Sequence, residues 1–114
     1  MRLFAVMALS GLLGLAGCRS AFVEADVINA GGAPVSLVEV DYPSASFGVE
    51  SLAAGAAYHY RFKILGSGPT KVMWTDAARQ DHNVTGPQLN EGQQGSMTVT
   101  IEGGTAVWKT ELQP

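Results

Sequence analysis

The segment Tyr58-His59-Tyr60-Arg61-Phe62-Lys63-Ile64 decides the fold class of this chain. Aromatic or aliphatic side chains occupy every second position, and basic side chains lie between them. Successive side chains of a β-strand point to opposite faces, so this alternation predicts a strand with one face in a core and one polar face. The glycine- and proline-containing stretch 66–69 follows directly and is typical of a turn that ends the strand.

The same period of two recurs on both sides of this segment, and no stretch repeats apolar residues at helical spacing. The predicted strands cover residues 23–27, 38–42, 47–52, 58–64, 72–74, 80–85, 97–101 and 106–110. Gly103-Gly104 predicts a two-residue hairpin turn, and the polar stretch 86–95, GPQLNEGQQG, predicts a surface loop. Seven or eight short strands predict an all-β fold, a small antiparallel immunoglobulin-like sandwich, with a small open β-barrel as the alternative.

Length and charge exclude several classes of protein. A chain of 114 residues has room for one small domain, not for a multidomain enzyme. Residues 1–17 contain 12 apolar residues, whereas residues 18–114 contain 41 in 97. Residues 18–114 have six Lys and Arg against ten Asp and Glu, a formal charge of −4, which argues against a nucleic-acid partner.

Residues 1–17 have the layout of a signal peptide, with Arg2 ahead of an apolar run that is too short to span a bilayer comfortably. The residues that follow, Leu15-Ala16-Gly17-Cys18, resemble the lipobox of bacterial lipoproteins. The resemblance implies a diacylglyceryl group on the Cys18 thiol, cleavage between Gly17 and Cys18, and acylation of the freed amine, for example with palmitate. The alternative is an ordinary secretory peptide with an incidental cysteine.

The single cysteine supports the same interpretation, because a lone cysteine in an exported protein needs an explanation and lipidation supplies one. Two or three acyl chains together anchor a protein stably to a membrane. Arg19 follows the cysteine where enteric-type lipoproteins of the inner membrane have Asp, so the protein resembles the class sent to the outer membrane, facing the periplasm. We therefore expect a cleaved signal peptide (1–17), a lipidated tether (18–21) and a β-sandwich domain (22–114) that lies within roughly 10–15 Å of the bilayer.

The mature part also resembles small uncharacterised bacterial lipoproteins, through the stretch from Leu52 to Tyr60, the motifs GSGP and VMWTDA, and TGPQLNEGQQG. That resemblance implies no established activity and no catalytic residues.

Few residues are candidates for catalysis. His59 and His82 have Asp76 and Asp81 as acidic neighbours, but no spacing typical of a metal site and no GxSxG nucleophile motif is present. We therefore predict no metal, no catalytic residue and no cofactor beyond the acyl groups on Cys18. We predict a noncatalytic structural or binding module at the periplasmic membrane face that contacts a partner protein or polymer of the envelope. The alternative is an enzyme or accessory subunit acting on envelope lipid or peptidoglycan.

Two surface features are candidates for binding. The basic residues His59, Arg61 and Lys63, extended by Lys71 on a neighbouring strand, could form a stripe that binds an anionic group, although a solvated sheet face is the favoured interpretation. The aromatic residues could form a sugar-stacking platform, but we expect them to belong to the core. They are Tyr58, Tyr60, Trp74 and Trp108.

Overall fold

The computed structural model describes residues 21–114, which form eight strands in two sheets. The strands are β1 (Val23–Asn29), β2 (Val35–Tyr42), β3 (Ala45–Leu52), β4 (Ala57–Phe62), β5 (Gly68–Thr75), β6 (Asp81–Leu89), β7 (Gln94–Glu102) and β8 (Thr105–Gln113). Sheet 1 has the order β4-β1-β7-β8, and sheet 2 has the order β3-β2-β5-β6. Among the described residues no strand pairs across the two sheets, so the sandwich is confirmed rather than the open barrel.

The strand order shows how closely the sandwich follows immunoglobulin topology. Immunoglobulin domains pair strands B and E in one sheet and strands C, F and G in the other. Here β1 and β4 pair as B and E, and β2, β5 and β6 lie in the order of C, F and G. The difference is that β7 and β8 extend sheet 1 beside β1, and β7 runs parallel to β1 while the other pairs are antiparallel.

The core lies between the sheets and is built by the alternation that the sequence shows. Sheet 1 contributes inward residues from its two central strands, and sheet 2 does the same. They are Val23, Ala25 and Val27 on β1, Met97, Val99 and Ile101 on β7, Val38 and Val40 on β2, and Val72 and Trp74 on β5, each at most 3% exposed. Burial of this apolar surface is the main favourable term in folding.

One buried polar residue links the sheets at the end of β1. The Asn29 amide donates hydrogen bonds to the carbonyl oxygens of Ala33 (2.9 Å) and Leu52 (3.0 Å), and its side-chain oxygen accepts the Gly31 N–H (3.0 Å). Asn29 is only 1% exposed. Because buried polar groups are costly unless paired, this side chain fixes the position of the two loops that follow β1 and β3.

The predicted loop at 86–95 is wrong for most of its length. β6 continues to Leu89, which is fully buried opposite Gly68, and β7 begins at Gln94. Gly86 is a close-packing residue and not a turn residue, because a β-carbon there would lie 2.4 Å from Cε2 of Trp108 on β8. Pro87 is tolerated because β6 is an edge strand, where one missing N–H donor costs little.

The two ends of the sandwich differ in what they contain. At the proximal end the chain enters β1, and turn 43–44, loop 63–67 and turn 90–93 lie beside it. At the distal end lie loops 30–34 and 53–56, turn 76–80 and the Gly103-Gly104 hairpin. The hairpin prediction is confirmed, with φ values of 60° and 81° that only glycine adopts readily.

Candidate functional site

The lipobox residues Leu15, Ala16, Gly17 and Cys18 lie outside residues 21–114, so lipidation and cleavage stay predictions. The structure describes the chain from just beyond them. The Phe22 carbonyl accepts the Gly95 N–H at 3.2 Å, and Val23 is fully buried. β1 lies between β4 and β7, so the residues closest to the predicted anchor belong to an interior strand of the sandwich.

The basic stripe on β4 faces acidic side chains of β1. In the strand register Glu24 lies opposite Arg61, and Asp26 lies opposite His59. His59 Nε2 is 2.8 Å from Glu24 Oε1, His59 Nδ1 is 2.9 Å from Asp26 Oδ1, and Arg61 Nε is 3.1 Å from Glu24 Oε2. An anionic ligand would therefore compete with two carboxylates. The acidic partners could have been found in the sequence, because alternation along β1 places both on its polar face.

These contacts change the titration of His59. The hydrogen bond to Asp26 and then the one to Glu24 raise the pKa of His59 above its usual 6.5, since both ring nitrogens can donate only when the ring is protonated. The imidazolium is thus held between two carboxylates on the outer face of sheet 1. The side chains remain about half exposed, at 54% for His59 and 46% for Asp26, so water screens the pair.

The proposed extension of the stripe to Lys71 is wrong. Lys71 lies on β5, opposite Asp41 of β2 and Thr85 of β6, and β5 belongs to sheet 2. The connection 63–67 is short, which favours neighbouring strands, but it crosses from one sheet to the other. Of the four residues of the predicted stripe, His59 and Arg61 lie on β4, Lys63 directly follows it, and Lys71 lies on the other sheet.

A carboxyl pair that the sequence analysis did not consider lies on the outer face of β2. A hydrogen bond to the Asp41 carboxyl and the charge of Asp41 raise the pKa of Glu39, and burial adds slightly. The charge of Lys71 acts in the opposite direction. The spacing of two residues on a strand is the signal that could have found this pair, because it places both side chains on one face.

His82 and Asp76 come together at the distal end. His82 Nε2 is 2.7 Å from Asp76 Oδ2, and the imidazole stacks on Trp74 with ring centroids 5.2 Å apart. Asp76 Oδ1 also accepts the N–H groups of Ala78 (2.8 Å) and Gln80 (2.9 Å). The His82 hydrogen bond, followed by the Gln80 N–H, holds the pKa of Asp76 below its usual value of 3.8. These contacts fasten turn 76–80 to β6.

Asp81 does not join that pair. Its Oδ1 accepts the Thr75 hydroxyl at 2.8 Å, across the β5–β6 ladder. The four candidate catalytic residues therefore form two separate groups, His59 on sheet 1 and the others around the β5–β6 hairpin. Each described contact ties neighbouring strands together or caps a turn.

The prediction that the aromatic residues belong to the core is confirmed for Trp74, which is 3% exposed. The residues Tyr58, Tyr60 and Trp108 are partly buried and pack against the core. Phe47 on β3 stacks on Tyr60 of β4, with centroids 4.5 Å apart and an interplanar angle of 13°. β3 and β4 are edge strands of opposite sheets, so these rings close one open side of the sandwich.

The residues at the proximal end form a shallow cavity of about 370 Å³ beside Phe22, bounded by Arg61 and Glu111. Within residues 21–114 no group of three or more His, Cys, Asp or Glu side chains is placed to hold a metal ion. Across the same residues the structure contains no helix of the length and apolar character that would cross a membrane.

Comparison of the sequence with known protein families and with curated proteins finds no match. Among solved structures, the chain is similar to the NMR structure of a protein from Eubacterium rectale. The TM-score is 0.58 at 10% sequence identity, and the match covers 79% of this chain and 88% of the other. At that identity the similarity shows a shared fold and nothing about activity.

Proposed function

We propose that this protein is a bacterial lipoprotein, in which lipidated Cys18 anchors a noncatalytic β-sandwich to the periplasmic face of the outer membrane. The observation that supports the proposal most is the complete lipobox, Leu15 to Cys18, placed directly after an apolar run and four residues before Phe22. An acylated cysteine would make the domain peripheral to the membrane and permanently attached to it.

The geometry of the candidate catalytic groups supports a binding role rather than catalysis. A general acid or base needs access to a substrate proton. Asp76 uses both carboxylate oxygens to cap turn 76–80 and to hold His82, and Asp81 binds Thr75. The partner in this proposal is an envelope protein or polymer, recognised by a surface of the sandwich.

The anchor is tested by Cys18→Ser in a bacterial host that processes lipoproteins. We expect the variant to remain uncut, with its apolar segment 1–17 still attached, and to lose the acyl mass increment on its N-terminal peptide. Ser20→Ala, two residues along, is the matched control and should be processed and lipidated normally. Normal cleavage of Cys18→Ser would show that the segment is an ordinary secretory signal.

The membrane assignment has its own test. Arg19→Asp introduces the residue that retains enteric-type lipoproteins in the inner membrane, so the variant should move to the inner-membrane fraction on a density gradient. Arg19→Lys is the control and should stay with the outer membrane. An unchanged distribution of Arg19→Asp would refute the outer-membrane assignment without affecting the lipid anchor.

A further inference from the structure

Three large apolar side chains of residues 21–114 are strongly exposed: Leu37 (66%), Leu65 (61%) and Val107 (65%). Isolated exposed apolar residues are common on protein surfaces, so their exposure alone implies nothing. Their positions differ, however. Leu37 is the third residue of β2 and Val107 the third of β8, and both strands begin at the distal end. Leu65 lies in loop 63–67, at the proximal end where the chain enters β1.

Loop 63–67 is held in place on both sides of Leu65. Ile64 is 1% exposed, and its carbonyl accepts the Gly92 N–H at 3.1 Å. The Ser67 hydroxyl oxygen accepts the Glu91 N–H, also at 3.1 Å. The loop is therefore braced against turn 90–93, with Ile64 buried in the core and Leu65 next to it exposed.

Two cations lie beside this loop, over the last residue before β1. The Arg61 guanidinium carbon is 4.0 Å from the centroid of the Phe22 ring, and Lys63 Nζ is 5.0 Å from it. Long basic side chains lay their apolar stems along a surface while the charge stays at the polar boundary. The exposed Leu65 side chain, the Phe22 ring and the two cations over that ring thus lie at the same end of the sandwich.

The predicted anchor brings this end to the membrane. Cys18 is four residues before Phe22, and extended chain spans at most about 3.3–3.6 Å per residue, so the acyl groups begin within roughly 14 Å of the ring. Val107 lies on β8 five residues before Leu112, the residue in register with Gly95 at the proximal end. At about 3.4 Å per residue, this places Val107 roughly 17 Å deeper into the domain.

From this geometry we infer that the proximal end is a docking surface for the phospholipid bilayer, with Leu65 inserted at the acyl-chain boundary and Lys63 at the lipid phosphates. The inference rests on the proposed anchor at Cys18. Glu24 pairs with Arg61, and Glu91 and Glu111 also lie near this end, so the surface is not strongly cationic. Contact therefore depends on Leu65 first and on Lys63 second, and it orients the sandwich with its distal end towards the periplasm.

The orientation is measured on the full, lipidated protein. Cys18 is the single cysteine and its thiol is acylated in this proposal, so Leu65→Cys and Val107→Cys each introduce one free thiol for an environment-sensitive fluorophore. The proteins are reconstituted in vesicles of phosphatidylethanolamine and phosphatidylglycerol that contain acyl-chain spin-labelled lipid. Because interfacial groups insert about 5–10 Å, we expect quenching at position 65 to exceed quenching at position 107 roughly threefold.

Val107→Cys is the matched control, since the two side chains are almost equally exposed and receive the same fluorophore. Equal quenching would mean that the sandwich lies on its side, and absence of quenching at both positions would mean that the domain stands clear of the bilayer; either result overturns the inference. The acyl mass on Cys18 is measured in the same samples. Its absence overturns the anchor and the inference together, whereas its presence with equal quenching overturns the inference alone.

The role of Lys63 is tested by adding Lys63→Gln to the labelled Leu65→Cys protein. We expect quenching at position 65 to fall about twofold in vesicles with anionic lipid and little in purely zwitterionic vesicles, because the lost interaction is electrostatic. Lys109→Gln removes an exposed charge from the middle of β8 and should change neither value. Equal effects of the two substitutions would refute a specific contact by Lys63.

Discussion

Replacing Gly86 by alanine tests whether β6 and β8 pack as closely as the structure describes. A β-carbon at position 86 would lie 2.3 Å from the Thr70 hydroxyl oxygen and 2.4 Å and 2.6 Å from Cε2 and Cδ2 of Trp108. No real β-carbon tolerates such distances, so the indole and the hydroxyl must both move. Overpacking of this kind costs about 1–3 kcal/mol.

Two smaller effects modify that cost. Thr70 donates a hydrogen bond to the Pro87 carbonyl (2.9 Å), and losing it adds about 0.5–1.5 kcal/mol. Removing a glycine restricts the unfolded chain and returns about 0.4–1 kcal/mol. The net destabilisation is therefore about 0.5–4 kcal/mol, and its midpoint of about 2 kcal/mol lowers Tm by roughly 8–16 °C for a domain of this size.

The measurement is thermal unfolding followed by far-UV circular dichroism, with Gly32→Ala as the matched control. Gly32 has no heavy atom within 4 Å of an added β-carbon, so its substitution should leave Tm unchanged or raise it slightly. Measured against Trp108→Ala alone, adding Gly86→Ala should cost less than it does in the wild type, since the contact with the indole is gone and only the one with Thr70 remains. Equal Tm values for Gly86→Ala and Gly32→Ala would refute the close packing of β6 on Trp108.

Three further predictions concern polar contacts. Asn29→Ala leaves the buried Leu52 carbonyl, the partly buried Ala33 carbonyl and the Gly31 N–H without their partner and should cost about 2–4 kcal/mol in urea unfolding. A loss below ~1 kcal/mol would mean that water replaces the amide. The raised pKa of His59 adds stability that is complete below pH 6.5 and is lost as pH rises through the pKa of His59 in the folded protein. Tm measured against pH should therefore fall across that range in the wild type but not in His59→Gln. The lowered pKa of Asp76 adds stability that is present above pH 3.8 and is lost as pH falls through the pKa of Asp76 in the folded protein. Asp76→Asn should therefore reduce the fall in Tm at acid pH. An unchanged fall would refute the His82 contact.

The strands could be predicted where one face is buried and the period of two is unbroken. β1, β4 and β7 follow this rule, because each alternates core and polar residues along its length. β2 breaks it. Val35 and Val38 are both buried although they are three residues apart, since a bulge between Ser36 and Glu39 shifts the register and exposes Leu37 with a φ of 51°. Only a phase change in the apolar pattern marks such a bulge in sequence.

Glycine and proline misled the prediction at β6 because composition does not distinguish a turn from a close approach. Gly103 has the positive φ that a hairpin requires, whereas Gly86 is needed for its missing side chain. The two roles differ only in what lies across the strand, here Trp108, which is 22 residues away in the chain. Sequence periodicity contains no information about that neighbour.

The prediction of the basic stripe included Lys71 wrongly and missed the acidic partners of His59 and Arg61 for a related reason. Alternation placed His59 and Arg61 on the polar face correctly, but strand order decided which charges they meet. Because β4 pairs with β1, Glu24 and Asp26 lie beside the basic side chains of β4. Because β5 belongs to the second sheet, Lys71 does not. The face of a side chain can be predicted from its own strand, whereas its electrostatic surroundings depend on topology.

The parallel pairing of β1 with β7 bears on how a membrane anchor would act on this fold. If the tether led into an edge strand, force from the membrane could peel that strand away by breaking one ladder. β1 instead lies between two strands, with Val23, Ala25 and Val27 at most 1% exposed. Displacing it requires two hydrogen-bonded ladders and the buried face to separate together, which places the free energy of local opening of β1 towards the upper end of the range for this domain. A lipid anchor at Cys18 would therefore suit this topology, because the strand that it would lead into is one of the best secured.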